Sequence, residues 1–211
     1  MANDLINAPG GLPGLPMQQH AEKIVNVEHA NTIQTQNTIY ISAGLPGMPG
    51  YNPAPVSFSR DYFNLIVYGD TPLLSEGHIT FEKKRCLVED DNIEAHLKAR
   101  FSPLTPEIIE ELKSFLCIVA CENRHYGWTD DDHYASVAQL VDVKNRSNGI
   151  EIYFRPIFAI PQARLNEIGF QLGMRGTYRK FNELNHSHWT VKAIDLLEVL
   201  NDAGLNPLNR G

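Results

Sequence analysis

Two alternating segments separated by a short turn place the strongest constraint on the fold of this chain. Residues 134–144 and 150–160 flank the stretch 146–149, which contains the Asn-Gly dipeptide favoured in tight hairpin turns. Apolar and polar side chains alternate within both segments, and the apolar positions are Val137, Val141, Val143, Ile150, Ile152 and Phe154. This two-residue periodicity predicts a long antiparallel β-hairpin.

Helix signals lie on both sides of the predicted hairpin. Thr105-Pro106-Glu107 offers a capping hydroxyl, a proline at the first helical position and an acid in the first turn. Asp195 is placed to cap a final helix, with Glu198 completing a capping box and Gly204 ending the helix. Further helices are predicted over 56–69, where a strand stays possible, 91–101 and 162–174.

The helix that begins near Thr105 is expected to present one apolar face, made by Ile108, Ile109, Leu112, Phe115 and Leu116. A strand is expected within 77–88, where Ile79 and Phe81 alternate with polar neighbours. Strands and helices interleave without a regular strand–helix–strand rhythm. We therefore expect an α+β domain over 56–211, in which several helices pack a small antiparallel sheet that contains the long hairpin.

Residues 1–55 have a different composition from the rest of the chain. They hold four charged residues, six of the 15 glycines and seven of the 13 prolines. Two similar phrases, Gly11–Pro16 and Gly44–Pro49, are too short to nucleate a collagen helix and favour an extended or irregular linker. We expect residues 1–55 to form a linker or oligomerisation region that precedes the globular domain.

Residues 20–42, between these phrases, contain neither Gly nor Pro and show two-residue periodicity. They predict one or two β-strands with a break near 29–31. Because an isolated hairpin is marginal and leaves an open edge, three alternatives remain. They are a disordered tail, β-pairing between copies of the chain, and docking onto the chain's own core. The candidates for pairing between copies are Ile24, Val25, Val27, Ile33, Ile39 and Ile41.

Charge, hydropathy and cysteine content exclude several classes of protein. A net charge of −7 argues against nucleic-acid binding through bulk electrostatics. No apolar run is long enough for a transmembrane helix, and the first residues do not resemble a secretory signal. Three cysteines are too few, and odd in number, for a disulfide framework. We therefore expect a cytoplasmic protein with buried, reduced thiols and no membrane partner.

Potentially reactive side chains are densest in the segment 123–133, NRHYGWTDDDH. Its candidate ligands for a divalent cation, which could activate water, are His125, Asp130, Asp132 and His133. The run matches no standard metal-ligand spacing, so a solvated loop with its rings packed on the sheet stays an alternative. A third alternative is recognition of a small ligand or partner, with Tyr126 and Trp128 as contacts.

A second polar and aromatic segment spans 181–189, FNELNHSHW. Its alternating histidines, His186 and His188, add weak metal-ligand candidates. The alternative is a tight turn in which Asn182, Asn185 and His186 bond the backbone. Further recognition candidates here and in the basic stretch 175–180 are Arg175, Arg179 and Trp189. The sequence does not show whether 123–133 and 181–189 converge, and convergence of their His and Asp residues would favour a metal site.

Three phrases of the chain resemble bacterial proteins encoded in mobile and antiphage conflict loci. They are HAEKIVNVEHANTI (20–33), the block that runs from HYGWTDDDH to QARLNE (125–167), and FNELNHSHWTVKAIDLLEVLNDAGL (181–205). The resemblance implies a cytoplasmic bacterial protein that acts as a sensor, adaptor or other interaction module in antiphage defence. It carries no catalytic motif.

Three functions of different classes are compatible with the sequence. The leading hypothesis is a non-enzymatic interaction module that self-associates and recognises a partner protein or small ligand. The second is a metal-dependent hydrolase or nuclease that uses the loop 125–133. The third is a purely structural assembly subunit. Because the chain has no phosphate-binding loop, nucleophile elbow or HExxH motif, we assign no catalytic residue and expect no cofactor apart from the divalent metal of the second hypothesis.

Overall fold

A computed structural model describes residues 56–69, 77–87, 94–176 and 179–206, and the backbone of 32–35 and 38–41. The strands are β1 (Thr32–Thr35), β2 (Thr38–Ile41), β3 (Val56–Val67), β4 (His78–Phe81), β5 (Phe115–Ala120), β6 (Tyr134–Asn145), β7 (Ile150–Pro161) and β8 (His188–Lys192). They form one eight-stranded sheet in the order β1-β2-β3-β5-β6-β7-β4, with β8 also paired to β3. The helices are α1 (Ala95–Phe101), α2 (Pro106–Lys113), α3 (Gln162–Glu167) and α4 (Leu196–Asp202).

The predicted α+β class with a small antiparallel sheet is wrong. The sheet is extensive and curled, and the α-helices of the described residues span only six to eight residues each. One cause is β5, whose six residues are all buried. A strand that is buried on both faces shows no polar–apolar alternation. The sequence pattern therefore assigns Phe115 and Leu116 to the apolar face of α2, whereas they begin β5.

A second cause is the segment 56–69, whose sequence favours a short helix but which forms β3. Its residues alternate between two cores, since Leu65 and Val67 pack on one face of the sheet and Ile66 on the other. The β-branched end of the segment suits this pleated, buried position. The helix predicted over 162–174 is also shorter than expected. It is α3, which spans only Gln162–Glu167.

The long hairpin is confirmed. Strands β6 and β7 pair in antiparallel register, and the Arg146 N–H donates to the Gly149 carbonyl at 2.8 Å across the turn. Glycine is needed at 149 because a Cβ there would lie only 2.4 Å from the Phe81 carbonyl oxygen. The close approach of β4 to the hairpin turn therefore depends on this residue.

Both predicted helix caps are also confirmed. Thr105 Oγ1 accepts a hydrogen bond from the Ile108 N–H at 3.4 Å, and Asp195 Oδ1 accepts one from the Glu198 N–H at 3.2 Å. Gly204 follows α4 at φ +66°, the left-handed conformation that ends many helices. The strand predicted within 77–88 is β4, and the helix predicted over 91–101 is α1.

Apolar side chains pack against both faces of the sheet. Leu97 and Phe101 of α1 and Leu112 of α2 cover one face. Leu165 of α3 and Leu200 of α4 belong to the core on the other face. The central strands β3 and β5 therefore lie between two apolar layers, as strands of this kind require.

The strands β1 and β2 extend the sheet at its N-terminal end. They pair with each other, and β2 pairs antiparallel with residues 56–59 of β3. Among the candidates for self-association, Ile33 lies on β1, and Ile39 and Ile41 lie on β2. The other three, Ile24, Val25 and Val27, lie outside the described residues, as does the predicted break at 29–31.

The three cysteines are buried and carry thiols rather than disulfides, as expected. Burial raises the pKa of Cys117 to about 12, which keeps its sulfur protonated near neutral pH.

Candidate functional site

The segments 123–133 and 179–188 meet in the structure. Asn185 joins them, because its Oδ1 accepts a hydrogen bond from the Gly127 N–H at 2.8 Å. Its Nδ2 donates to the His125 carbonyl at 2.7 Å. One side-chain amide thus satisfies a donor and an acceptor of a turn that is about 60 residues away in sequence. The turn is fixed by tertiary contacts as well as by its own hydrogen bonds.

That turn spans His125–Trp128. The His125 N–H donates to the Trp128 carbonyl at 3.2 Å, and Gly127 adopts φ +68°, which glycine tolerates best. The Arg179 N–H donates to the Gly127 carbonyl at 3.1 Å. The backbone at the tip of the turn is therefore held from two sides, by Asn185 and by Arg179.

A network of amide side chains lies below the turn. Asn123 Nδ2 donates to Asn166 Oδ1 at 2.8 Å, and Asn182 Nδ2 donates to the same oxygen at 2.8 Å. Asn123 Oδ1 accepts from Asn166 Nδ2 at 2.9 Å and from Gln162 Nε2 at 3.1 Å. Three of these residues, Gln162, Asn166 and Asn182, are buried. The network ties α3 to both segments, and the expected role of Asn182 and Asn185 in a tight turn is confirmed.

Three exposed aromatic side chains project from this framework, and we call them the aromatic surface: Tyr126, Trp128 and Phe181. Their exposed fractions are 72%, 40% and 54%. The Tyr126 and Phe181 ring centroids are 6.2 Å apart, and Trp128 stacks on His125 at 3.9 Å. Behind Phe181, the rings of His186 and His188 stack in turn, at centroid distances of 5.7 and 4.6 Å.

A cleft of about 280 Å³ adjoins the aromatic surface at Trp128. Its lining residues are Trp128, Thr129, Asp130, Asp131, Ala163, Glu167 and Arg179. Arg179 adopts φ +58°, a conformation that costs a residue with a side chain about 1 kcal/mol or more. The backbone N–H of Arg179 bonds to the turn, and the residue also lines the cleft. Strain of this kind concentrates at functional sites.

Arg124 forms ion pairs with two of the three aspartates of the loop 130–132. Arg124 Nη1 lies 2.9 Å from Asp130 Oδ2 and 3.3 Å from Asp132 Oδ1. His125 Nε2 lies 3.4 Å from Asp130 Oδ1. Hydrogen bonding from Arg124 holds the pKa of Asp130 below its usual range, so that this carboxylate is ionised at neutral pH.

The candidate metal ligands are engaged in other interactions. His133 Nδ1 lies 2.6 Å from the Thr129 hydroxyl. His186 and His188 have rings that stack with an angle of 24° between their planes. Imidazole lone pairs lie in the ring plane, so two stacked rings cannot direct them at one ion. Within the described part of the chain, no group of three His, Cys, Asp or Glu side chains has the geometry of a metal site.

A buried ion pair lies beside the histidine stack. Lys192 Nζ is 2.8 Å from Glu183 Oε1 and 2.7 Å from Oε2, and His188 Nε2 is 3.7 Å from the same Oε2. The Arg175 N–H also donates to Glu183, at 2.8 Å. Burial alone would raise the pKa of Glu183, but its interactions with His188 and Lys192 hold the pKa below the ordinary value.

Two of the residues proposed for recognition lie elsewhere. Trp189 is fully buried, and its Nε1 donates to Asn64 Oδ1 at 3.1 Å, so it is a core residue and cannot contact a partner at the surface. Arg175 lines a separate cleft of about 150 Å³ together with Lys192. His188 is buried as well, whereas Tyr126, Trp128 and Arg179 lie at the aromatic surface and its cleft.

Several residues of the site have no distinguishing signal in the sequence. Phe181 and Asp131 lie within the two polar and aromatic segments, but neither pattern separates them from solvated loop residues. Glu167 and Ala163 lie on α3 and reach the cleft only through the tertiary fold. The ion pair between Glu183 and Lys192 cannot be predicted from the sequence alone, because it depends on how β8 is aligned with the turn that precedes it.

Comparison with protein-family models, with curated proteins and with solved structures finds no match. Within the described ranges, none of the helices has the length and apolar character needed to cross a bilayer.

Proposed function

We propose that this protein is a non-enzymatic interaction module that recognises a partner protein through the aromatic surface. The observation that carries the proposal is the exposure of Tyr126 and Trp128, on a turn held by the Asn185 amide, and of Phe181 beside them. Exposed aromatic rings supply a large contact area and lose little side-chain entropy on binding. A turn that is already fixed reduces the ordering cost of association further.

The resemblance of three phrases to proteins of antiphage conflict loci supports a more specific role. We place the module among cytoplasmic sensor or adaptor proteins of bacterial defence, in which recognition of a partner triggers a response elsewhere. The aromatic surface supplies the contact that such a role requires, and the role itself needs no reaction at this site.

Binding of a partner should depend on the exposed rings of Tyr126 and Phe181. We expect a random-sequence peptide library displayed on phage to yield peptides that bind the wild-type protein. The double substitution Tyr126→Ser and Phe181→Ser should weaken their binding by about tenfold or more, because two aromatic contacts are lost. Affinity is measured by biolayer interferometry with the selected peptides, and circular dichroism checks that the variant is folded.

Val141 provides the matched control for this experiment. It is an exposed apolar residue, 44% accessible, on β6. Val141→Ser should leave the affinity of the selected peptides unchanged. Equal binding by wild type and the double variant, or an equal loss with Val141→Ser, would contradict recognition through the aromatic surface.

We also propose that the protein self-associates through residues 20–42. In support, β1 is the terminal strand of the sheet among the described residues, and an uncovered strand edge is a template for pairing with another chain. Deletion of residues 1–31 removes Ile24, Val25 and Val27 and keeps β1 and β2. We expect the deletion to lower the mass measured by light scattering, and an unchanged mass would remove these three residues from the proposed interface.

A further inference from the structure

The lining of the cleft beside Trp128 includes an acidic residue, Asp131, that can meet an incoming cation. Its lining residues include three acidic ones, Asp130, Asp131 and Glu167, and one basic one, Arg179. Asp130 is paired with Arg124, and Glu167 is paired with Arg164 at 2.5 Å. In the part of the chain that the structure describes, Asp131 has no such cationic partner. Its carboxylate is exposed and borders the cleft, where a ligand can reach it.

The indole of Trp128 adds a second feature that favours a cation. His125 stacks on the indole with an angle of 17° between the planes, and Trp128 stays 40% exposed and borders the cleft. The electron-rich face of tryptophan attracts ammonium and guanidinium groups more strongly than the other aromatic side chains do. Trp128 and Asp131 therefore offer a cation two kinds of contact in one concavity.

The size of the cleft limits what it can hold. A volume of about 280 Å³ lies below the range of about 300–1,000 Å³ that is typical of sites for drug-sized ligands. It suits a single side chain more closely than a whole cofactor. Because Trp128 belongs to both the cleft and the aromatic surface, a partner seated on the surface would pass directly over the cleft.

We propose that this cleft receives a basic side chain, arginine or lysine, of the partner protein that the aromatic surface binds. The inference rests on the proposed function, since the aromatic surface has to hold the partner backbone near the cleft. It adds the chemistry of the partner: an apolar or aromatic contact for Tyr126 and Phe181, with a positive charge close beside it. The carboxylate of Asp131 and the indole of Trp128 argue for this occupant over an acidic side chain.

The two tryptophans of the chain allow a direct test. Trp128 lies at the cleft and Trp189 is fully buried, so their indole N–H signals report on the site and on the core respectively. The probe is Nα-acetyl-arginine amide, added to ¹⁵N-labelled protein. We expect a saturable shift of the Trp128 indole signal with little change at Trp189. The neutral isostere Nα-acetyl-citrulline amide should produce no comparable shift.

Substitution of one aspartate tests the charge. Asp131→Asn should weaken binding of the arginine probe by about threefold to fivefold, the loss expected for an exposed ion pair. Asp202→Asn, an exposed aspartate at the end of α4, should leave the affinity unchanged. The inference is overturned by an equal response to the citrulline probe, by unchanged affinity in Asp131→Asn, or by no response to arginine.

The selected peptides also distinguish a partner's side chain from a free cation, and the proposed function from the inference about the cleft. If peptides selected on the aromatic surface contain a basic residue and lose affinity with Asp131→Asn, the cation is a partner's side chain. If they depend on Tyr126 and Phe181 but carry no basic residue, the proposed function stands and the inference about the cleft fails. If the arginine probe binds while no peptide depends on the aromatic surface, the cleft serves a free cation and the proposed function fails.

Discussion

Replacing Lys192 with methionine is expected to lower the free energy of unfolding by about 3–5 kcal/mol, because it leaves a buried charge without its partner. The ion pair with Glu183 is almost completely enclosed, with exposed side-chain fractions of 8% and 1%. Methionine keeps most of the side-chain volume but cannot compensate the carboxylate. The melting temperature should fall by roughly 10 °C, as measured by calorimetry or thermal circular dichroism.

A more exposed pair at a similar distance provides the control. Lys113 and Glu110 also approach to 2.7 Å, but their exposed side-chain fractions are 30% and 70%. Lys113→Met should therefore cost about 1 kcal/mol or less. The double variant Lys192→Met and Glu183→Gln should recover most of the stability, because no charge is left buried. A loss with Lys192→Met no larger than with Lys113→Met would show that the buried pair does not stabilise the fold.

The effect of Lys192→Met should also depend on pH. In the wild type, the stabilisation from the lowered pKa of Glu183 is complete above the unfolded value near 4.5 and is lost as pH falls through the folded value. In the variant, burial raises the pKa of this carboxyl, so acid protonates it and removes the buried charge. The difference in stability between wild type and variant should therefore shrink between pH 7 and about pH 4.

Replacing Asn166 with leucine is the second substitution with a large expected effect, about 2–5 kcal/mol. Its Oδ1 accepts hydrogen bonds from Asn123 and Asn182, and its Nδ2 donates to Asn123 Oδ1 and to the Gln162 carbonyl. Leucine has a similar size but leaves the amides of Asn123 and Asn182 without this partner. In a network of this kind, an unpaired buried amide costs more than the average hydrogen bond contributes.

Asn166→Leu should change the site as well as the stability. The network holds both segments of the site to α3, so we expect the Trp128 indole signal to move or broaden while the Trp189 signal persists. Gln171→Leu serves as the control, because Gln171 is exposed and outside the network. Stability within about 1 kcal/mol of wild type in Asn166→Leu, with an unchanged Trp128 signal, would count against a role of the network in positioning the turn.

A strand or helix can be predicted from the sequence where one of its faces is exposed and the other is buried. The hairpin β6–β7 and the caps Thr105 and Asp195 are recognisable in the sequence because alternation and capping are local properties. The strand β5 and residues 63–67 of β3 are not, because these residues are covered on both faces and do not alternate in polarity. Burial on two faces is a property of the assembled sheet, which a short segment does not encode.

The candidate site can be predicted only in parts. The segments 123–133 and 181–189 stand out through their polar and aromatic residues, and Tyr126 and Trp128 through their type. Their convergence depends on hydrogen bonds such as that from Gly127 to Asn185, between residues 58 positions apart. The burial of Trp189 and His188 depends in the same way on the pairing of β8 with β3. Neither relation has a signature in local sequence.

The arrangement of β3 also affects when the molecule can fold. One edge of β3 is shared by β2, at residues 56–59, and by β8, at residues 63–67, and the other edge pairs in parallel with β5. During synthesis, residues 63–67 have no neighbour on the first edge until residues 188–192 have left the ribosome. Contacts of such long sequence separation form slowly. A nascent chain that carries β3, β5 and the hairpin therefore keeps an apolar strand edge unpaired until β8 emerges, and that edge is exposed to aggregation and to chaperones in the interval.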